Sequence, residues 1–100
     1  MAMPRLSRAR DVVVAAQPDE ALLASVAVLR HLGARITRYD AEAGTLEARL
    51  RRLLRPALIC LRTEAQGEAT RVSVRSDALA WAPMFRRFRG ALLHVTKAAS

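Results

Sequence analysis

This 100-residue chain has little cysteine, lysine or aromatic character: one Cys, one Lys, and two Phe, one Tyr and one Trp. A lone Cys60 excludes an internal disulfide and any metal site built on paired thiolates. No apolar run approaches the roughly 20 residues that cross a bilayer, so no transmembrane segment is expected. Arg5, Arg8 and Arg10 give the amino end the charge of a secretory n-region, but the apolar stretch from Val12 to Ala16 is far shorter than an export signal needs. These absences point to a reducing, cytoplasmic setting.

What is present is a globular composition. The 52% hydrophobic content is too high for a disordered chain, and at this size one core can form but not two. The net charge is +8, yet 16 of the 17 cations are Arg and 20 residues are Ala, a pairing that GC-rich coding also produces. Clusters therefore say more than the total. They are Arg5, Arg8 and Arg10; Arg49, Arg51, Arg52 and Arg55; and Arg86, Arg87 and Arg89. Such clusters attract polyanions at low salt.

Glycine and proline divide the chain. Asp11 to Ala16 is a β-branched run of strand length. Pro18 suits a first helical position, Asp19 and Glu20 complement the helix dipole, and Leu22, Val26 and Leu29 recur at helical spacing, so a helix is predicted from Asp19 to Leu32, with Gly33 as its stop. From Ala34 the period becomes two. Ile36 points one way and Arg35, Thr37 and Tyr39 the other, and residues 40–44 supply a turn. The return strand sets Leu46, Ala48 and Leu50 inward and Glu47, Arg49 and Arg51 outward. A helix capped by Thr45 and ended by Pro56 is the alternative, because Leu46, Leu50, Leu53 and Leu54 also fit helical spacing. The strand is preferred for its flanking turn and its alternating neighbours.

Ala57 to Thr63 and Arg71 to Arg75, joined through a turn at Gln66 and Gly67, read as a second hairpin with Ile59, Leu61, Val72 and Val74 facing the core. After a linker from Ser76 to Ala82, Pro83 opens a last helix whose apolar stripe is Phe85, Phe88, Leu92 and Val95. The expected architecture is a single α+β domain over residues 10–98, in the order β-α-β-β-β-β-α. It has a mostly antiparallel sheet with both helices on one face, preceded by a flexible basic segment over residues 1–9.

The run Leu29-Arg30-His31-Leu32-Gly33-Ala34-Arg35-Ile36, then Asp40, Gly44-Thr45-Leu46-Glu47-Ala48 and Thr70 to Ser76, resembles the helix-grip or TATA-binding-protein-like fold over Arg10 to Ala98. It is similar to small uncharacterised bacterial domains of that fold and to the repeated modules of outer-membrane assembly lipoproteins. The resemblance implies a helix after the first strand and a terminal helix on one face of a curved sheet. Relatives of that fold bind DNA, hydrophobic ligands or proteins.

No phosphate loop, nucleophile elbow or paired metal-ligand spacing is present, so neither enzyme activity nor a cofactor or metal is expected. His31 reads as a helix-end residue, His94 as a solvent-edge residue, and Cys60 as a small apolar residue on the outer face of its strand. Glu47, Glu64 and Glu68 read as cross-strand partners for Arg. Trp81 reads as a core plug.

What remains is a surface. Alternation places Arg35, Tyr39, Arg49, Arg51, Arg62, Arg71 and Arg75 on the sheet face away from the helices, with Arg38 at its edge and only Glu47 and Glu64 as acids. The expected role is a small non-enzymatic interaction module acting through this face, with a protein partner or as a homodimer. Nucleic-acid binding through Arg contacts to the phosphate backbone is the alternative; base stacking is disfavoured because Tyr39 alone is aromatic there. An apolar ligand held between last helix and sheet is a further alternative, disfavoured by size. Arg86, Arg87 and Arg89, at the start of a helix without acids, form a candidate anion site.

Overall fold

In the computed structural model, which describes residues 8–51, 56–78 and 81–99 and the side chains up to 96, the valine run forms β1 (Arg10–Val14). Pro18 then starts α1 (Pro18–His31) at N1, where its missing N–H has no helical partner to lose. Asp19 and Glu20 lie at the positive end of this helix and Arg30 and His31 at the negative end. Gly33, whose N–H bonds Arg30 O at 3.0 Å, turns the chain back. Two hairpins follow, β2 (Ala34–Asp40) with β3 (Thr45–Leu50) and β4 (Ala57–Gln66) with β5 (Ala69–Ser76), and α2 (Trp81–Ala99) closes the chain.

The five strands form one sheet in the order β1-β5-β4-β3-β2, every neighbouring pair antiparallel. This is the expected α+β order. Thr45–Leu50 is a strand paired on both sides, so the helical alternative fails there: two ladders outweigh an i, i+4 leucine pattern. Arg51 follows without regular structure. Residues 1–7 of the basic segment, Arg52 to Arg55, and Leu79 and Ala80 of the expected linker lie outside the described residues.

Alternation turns Val12, Val14, Leu46, Ala48, Ile59, Leu61, Val72 and Val74 to one face, where they meet Leu22, Val28 and Leu29 of α1 and Trp81, Phe85, Phe88 and Leu92 of α2. α1 lies against β2 to β5 and against α2, while α2 reaches β1. Both helices therefore cover the same face. Tilted ring pairs join Trp81 to Phe85 at 6.3 Å and Phe85 to Phe88 at 6.2 Å.

Two details of α2 differ from expectation. The helix starts at Trp81 rather than Pro83, because a proline is tolerated in a first turn whose amides have no helical acceptors. Val95 is 41% exposed and Thr96 takes its place in the buried stripe, with its hydroxyl donating to Leu92 O at 2.8 Å. A period of 3.6 residues carried on from Leu92 falls nearer 96 than 95. Trp81 is buried as expected, but its indole Nε1–H has no hydrogen-bond partner among the described residues.

Gly44, at φ 69°, holds the β2–β3 turn against β4: its carbonyl accepts from both the N–H and the hydroxyl of Thr63, each at 2.8 Å. A Cβ at this position would lie 2.5 Å from Thr63 Oγ1. Gly67 has a similar φ of 66° with nothing within 4 Å of the equivalent position. Alanine in the left-handed region costs roughly 1–2 kcal/mol at either site. Urea melts are therefore expected to show Gly44→Ala as the more destabilising of the two, and equal losses would mean that the Thr63 contact yields freely. Phe88, fully buried, is expected to cost about 3–5 kcal/mol when changed to Ala; an unchanged midpoint would show that α2 does not pack on the sheet.

Candidate functional site

The residues that alternate away from the core form a sheet face that neither helix covers, and strand register sorts them into rows. One row runs Arg75, Cys60, Glu47, Arg38, and the next Asp11, Ser73, Arg62, Thr45, Asp40. A third holds Val13, Arg71 and Glu64, and a fourth Leu58, Arg49 and Arg35. The middle of this face is built from short side chains, Thr45, Cys60 and Ser73, surrounded by long ones. A groove of about 560 Å³ results, with Arg38, Asp40, Glu47, Arg62, Glu64 and Arg75 around it.

Arg35, Arg49, Arg62, Arg71 and Arg75 stand on this face as alternation requires. Tyr39 does not. The register shifts between Ile36 and Arg38, so Thr37 is an extra residue that reverses the alternation; Tyr39 pairs with Leu46 on the core side, and Arg38 joins the open face opposite Glu47. Arg51 lies beyond the end of β3. The same bulge brings Asp40 to the open face, and pairing with Ser73 brings Asp11. Seven cations against two acids therefore becomes six, Arg35, Arg38, Arg49, Arg62, Arg71 and Arg75, against four, Asp11, Asp40, Glu47 and Glu64. Thr37 carries no mark of a bulge in its residue type, and Asp11 was hidden because only the β1–β5 register shows which way it points.

Glu64 stands directly opposite Arg71 and Glu47 opposite Arg38, the neighbours that cross-strand pairing requires, but among the described residues these charges form no ion pair. Arg71 instead donates from Nη2 to Gln66 Oε1 at 3.4 Å, and Asp40 Oδ1 accepts from the N–H of Ala43 at 3.0 Å. Glu68 sits exposed in the β4–β5 turn. At the lower end of the face, Asp77 Oδ1 accepts the Leu58 N–H at 2.7 Å and fixes the end of the β4–β5 ladder.

Cys60 is half-buried on the floor of the groove. Burial, first, and the carboxylates of Glu47 and Asp77, next, push its thiol up from the ordinary value, against a smaller opposite pull from Arg75. A neutral thiol is a poor nucleophile. His31 and His94 are exposed on the helices, away from the open face. Among the described residues no three of His, Cys, Asp and Glu come together in a way that could hold a metal ion.

Arg86, Arg87 and Arg89 are exposed. With α2 starting at Trp81, Arg86 and Arg87 lie in its second turn and Arg89 in its third, a half-turn further from the free amides than a start at Pro83 would place them, and Pro83 itself offers no N–H. Among the described residues no helix is long and apolar enough to cross a membrane.

No protein-family model matches the chain, and no curated protein matches it. Among solved structures, its architecture is similar to that of the di-domain ARO/CYC BexL from the BE-7585A biosynthetic pathway, at a TM-score of 0.62 and 14% sequence identity. The match covers 90% of this chain and 45% of that one, so the chain spans less than half the length of its structural neighbour. The fold is of the helix-grip type.

The thiol offers a local probe of the groove. Alkylation of Cys60 at neutral pH is expected to run more slowly than that of a free cysteine, with its pH midpoint displaced upward. Glu47→Gln removes a charge that raises the midpoint and should speed the reaction, whereas Arg75→Gln removes one that lowers it and should slow it. Identical profiles in all three proteins would place Cys60 outside the influence of those charges.

Proposed function

We propose that the chain is a non-enzymatic interaction module that binds another protein surface through the open face of its sheet. The observation that carries this reading is the groove over Thr45, Cys60 and Ser73, ringed by charges that form no ion pair with one another among the described residues. Unpaired arginines and carboxylates on a rigid sheet are available to a partner without first breaking internal ion pairs. Interspersed acids also argue against a polyanion, which Asp11, Asp40, Glu47 and Glu64 would repel.

The ligand reading receives less support. The ARO/CYC designation belongs to the structural neighbour, and in this chain the space between α2 and the sheet is filled by Trp81, Phe85, Phe88 and Leu92, none more than 5% exposed. The pattern of turns at Gly33 and Gly44 supports a place among small bacterial domains of the helix-grip type, and a reducing cytoplasm would keep Cys60 a thiol.

A photo-cross-linking residue installed in the host cell tests the reading. At Ser73, on the open face, it is expected to give discrete protein adducts, and at Ala27, on the exposed side of α1, none. Adducts to nucleic acid at Ser73, or protein adducts from Ala27 alone, would overturn it.

A further inference from the structure

Charge on this molecule is unevenly divided. Of its nine acids, Asp11, Asp40, Glu47 and Glu64 lie on the open face and Asp77 at its lower end, so five acids stand there with six of the 17 cations. The rest of the chain carries eleven cations against four acids. Two copies, each at +8, repel one another everywhere except where the signs are interleaved. A basic plate suits an acidic partner, whereas an interleaved one is complementary to itself. We infer that the occupant of the open face is a second copy of this chain, stacked sheet on sheet about a two-fold axis; this rests on the module reading and names its partner.

The register selects the axis. An axis along β4 would set Arg62 on Arg62, Glu64 on Glu64 and Asp40 on Asp11, all like charges. An axis across the strands, between the Cys60 row and the Arg62 row, sets no like charges opposite one another. It places Arg38 opposite Asp40 of the second copy and Arg71 opposite Asp77. At the centre it lays Arg62 of the second copy over Cys60, into the depression left by the short side chains and between Glu47 and Arg75; the symmetry repeats the contact in reverse. The groove is then the socket for one arginine from each side. Aligned sheets cross at about −30°, so these central rows match best and the corners diverge.

The area suffices. Five strands about 4.8 Å apart, averaging roughly seven residues at about 3.3 Å each, present on the order of 550 Å² per copy and about 1,100 Å² in all, just above the ~1,000 Å² that a specific interface needs.

The test is a charge exchange followed by light scattering on the purified full chain. Wild type is expected near twice its 11.0 kDa. Glu47→Arg alone sets arginine against Arg62, and Arg62→Glu alone sets glutamate against Glu47, so each is expected to fall to the monomer mass. In a mixed dimer the arginine introduced in the first variant faces the glutamate introduced in the second, and the first variant's own Arg62 faces the second's own Glu47. Dimer is therefore expected to return on mixing. A purely structural role for either residue would not produce that recovery, and thermal melts of the single variants confirm that both remain folded. A monomeric wild type overturns self-pairing alone and leaves the open face to a different protein. A dimer that survives both single changes pairs through another surface and overturns self-pairing on the open face.

Discussion

β4 is hydrogen-bonded on both sides, to β3 and to β5, and a slip of one residue in either ladder would exchange Ile59 and Leu61 for Cys60 and Arg62 at the core. The helices can cover only one face of the sheet, so the phase of this strand decides which half of every neighbouring strand is buried. Three contacts outside the ladders hold that phase. Thr63 binds the Gly44 carbonyl at one end of β4, Asp77 binds the Leu58 N–H at the other, and the Thr70 hydroxyl donates to Ala16 O at 2.7 Å and ties β5 to the chain between β1 and α1. The groove inherits its position from the same phase, because Cys60 is its floor only while Ile59 and Leu61 are inside.

Much of this was legible in the residues. Pro18, Gly33 and the leucine spacing define α1, and strict alternation in Thr45–Leu50 and Thr70–Ser76 separates the buried and open faces before any pairing is known. What was not legible depends on register. The bulge at Thr37 shifts the phase within a strand that alternates cleanly on paper, and with it Tyr39, Arg38 and Asp40 change sides. Asp11 belongs to a run of valines whose outward members cannot be told from its inward ones until β5 lies beside it. The Arg-rich face was thus visible with two of its acids, Glu47 and Glu64, while Asp11 and Asp40 were not, which tilted the expected charge towards a basic surface. In α2 the stripe was displaced by less than one residue, enough to exchange Val95 for Thr96.

The electrostatic consequence is a division of labour between the two sides of the molecule. Arg86, Arg87 and Arg89 lie exposed on α2, which carries no acid, and they belong to the excess of eleven cations over four acids outside the open face that gives the chain its long-range positive field. Across the open face the field largely cancels, and what survives is short-range pattern. Short-range pattern confers specificity, since it distinguishes one register of contact from the next, whereas a long-range field draws in any polyanion. This is why the acids at Asp40 and Glu47 say more about partner choice than the larger number of arginines does.

Sheet edges are the usual rival to sheet faces in association, because their backbone N–H and C=O groups are unpaired. Here both edges are blunted. β2 carries a bulge and three charged residues, Arg35, Arg38 and Asp40, which interrupt the flat row that an added strand would need. β1 is only five residues long and contains Asp11, and α2 reaches over it from the helical side. The helical face is closed by its own core, and single apolar side chains such as Leu23 remain exposed on it. Neither helix covers the other side of the five-stranded sheet, so the interleaved charges there are presented outward. The concentration of short residues at Thr45, Cys60 and Ser73 then provides space there for a side chain from outside.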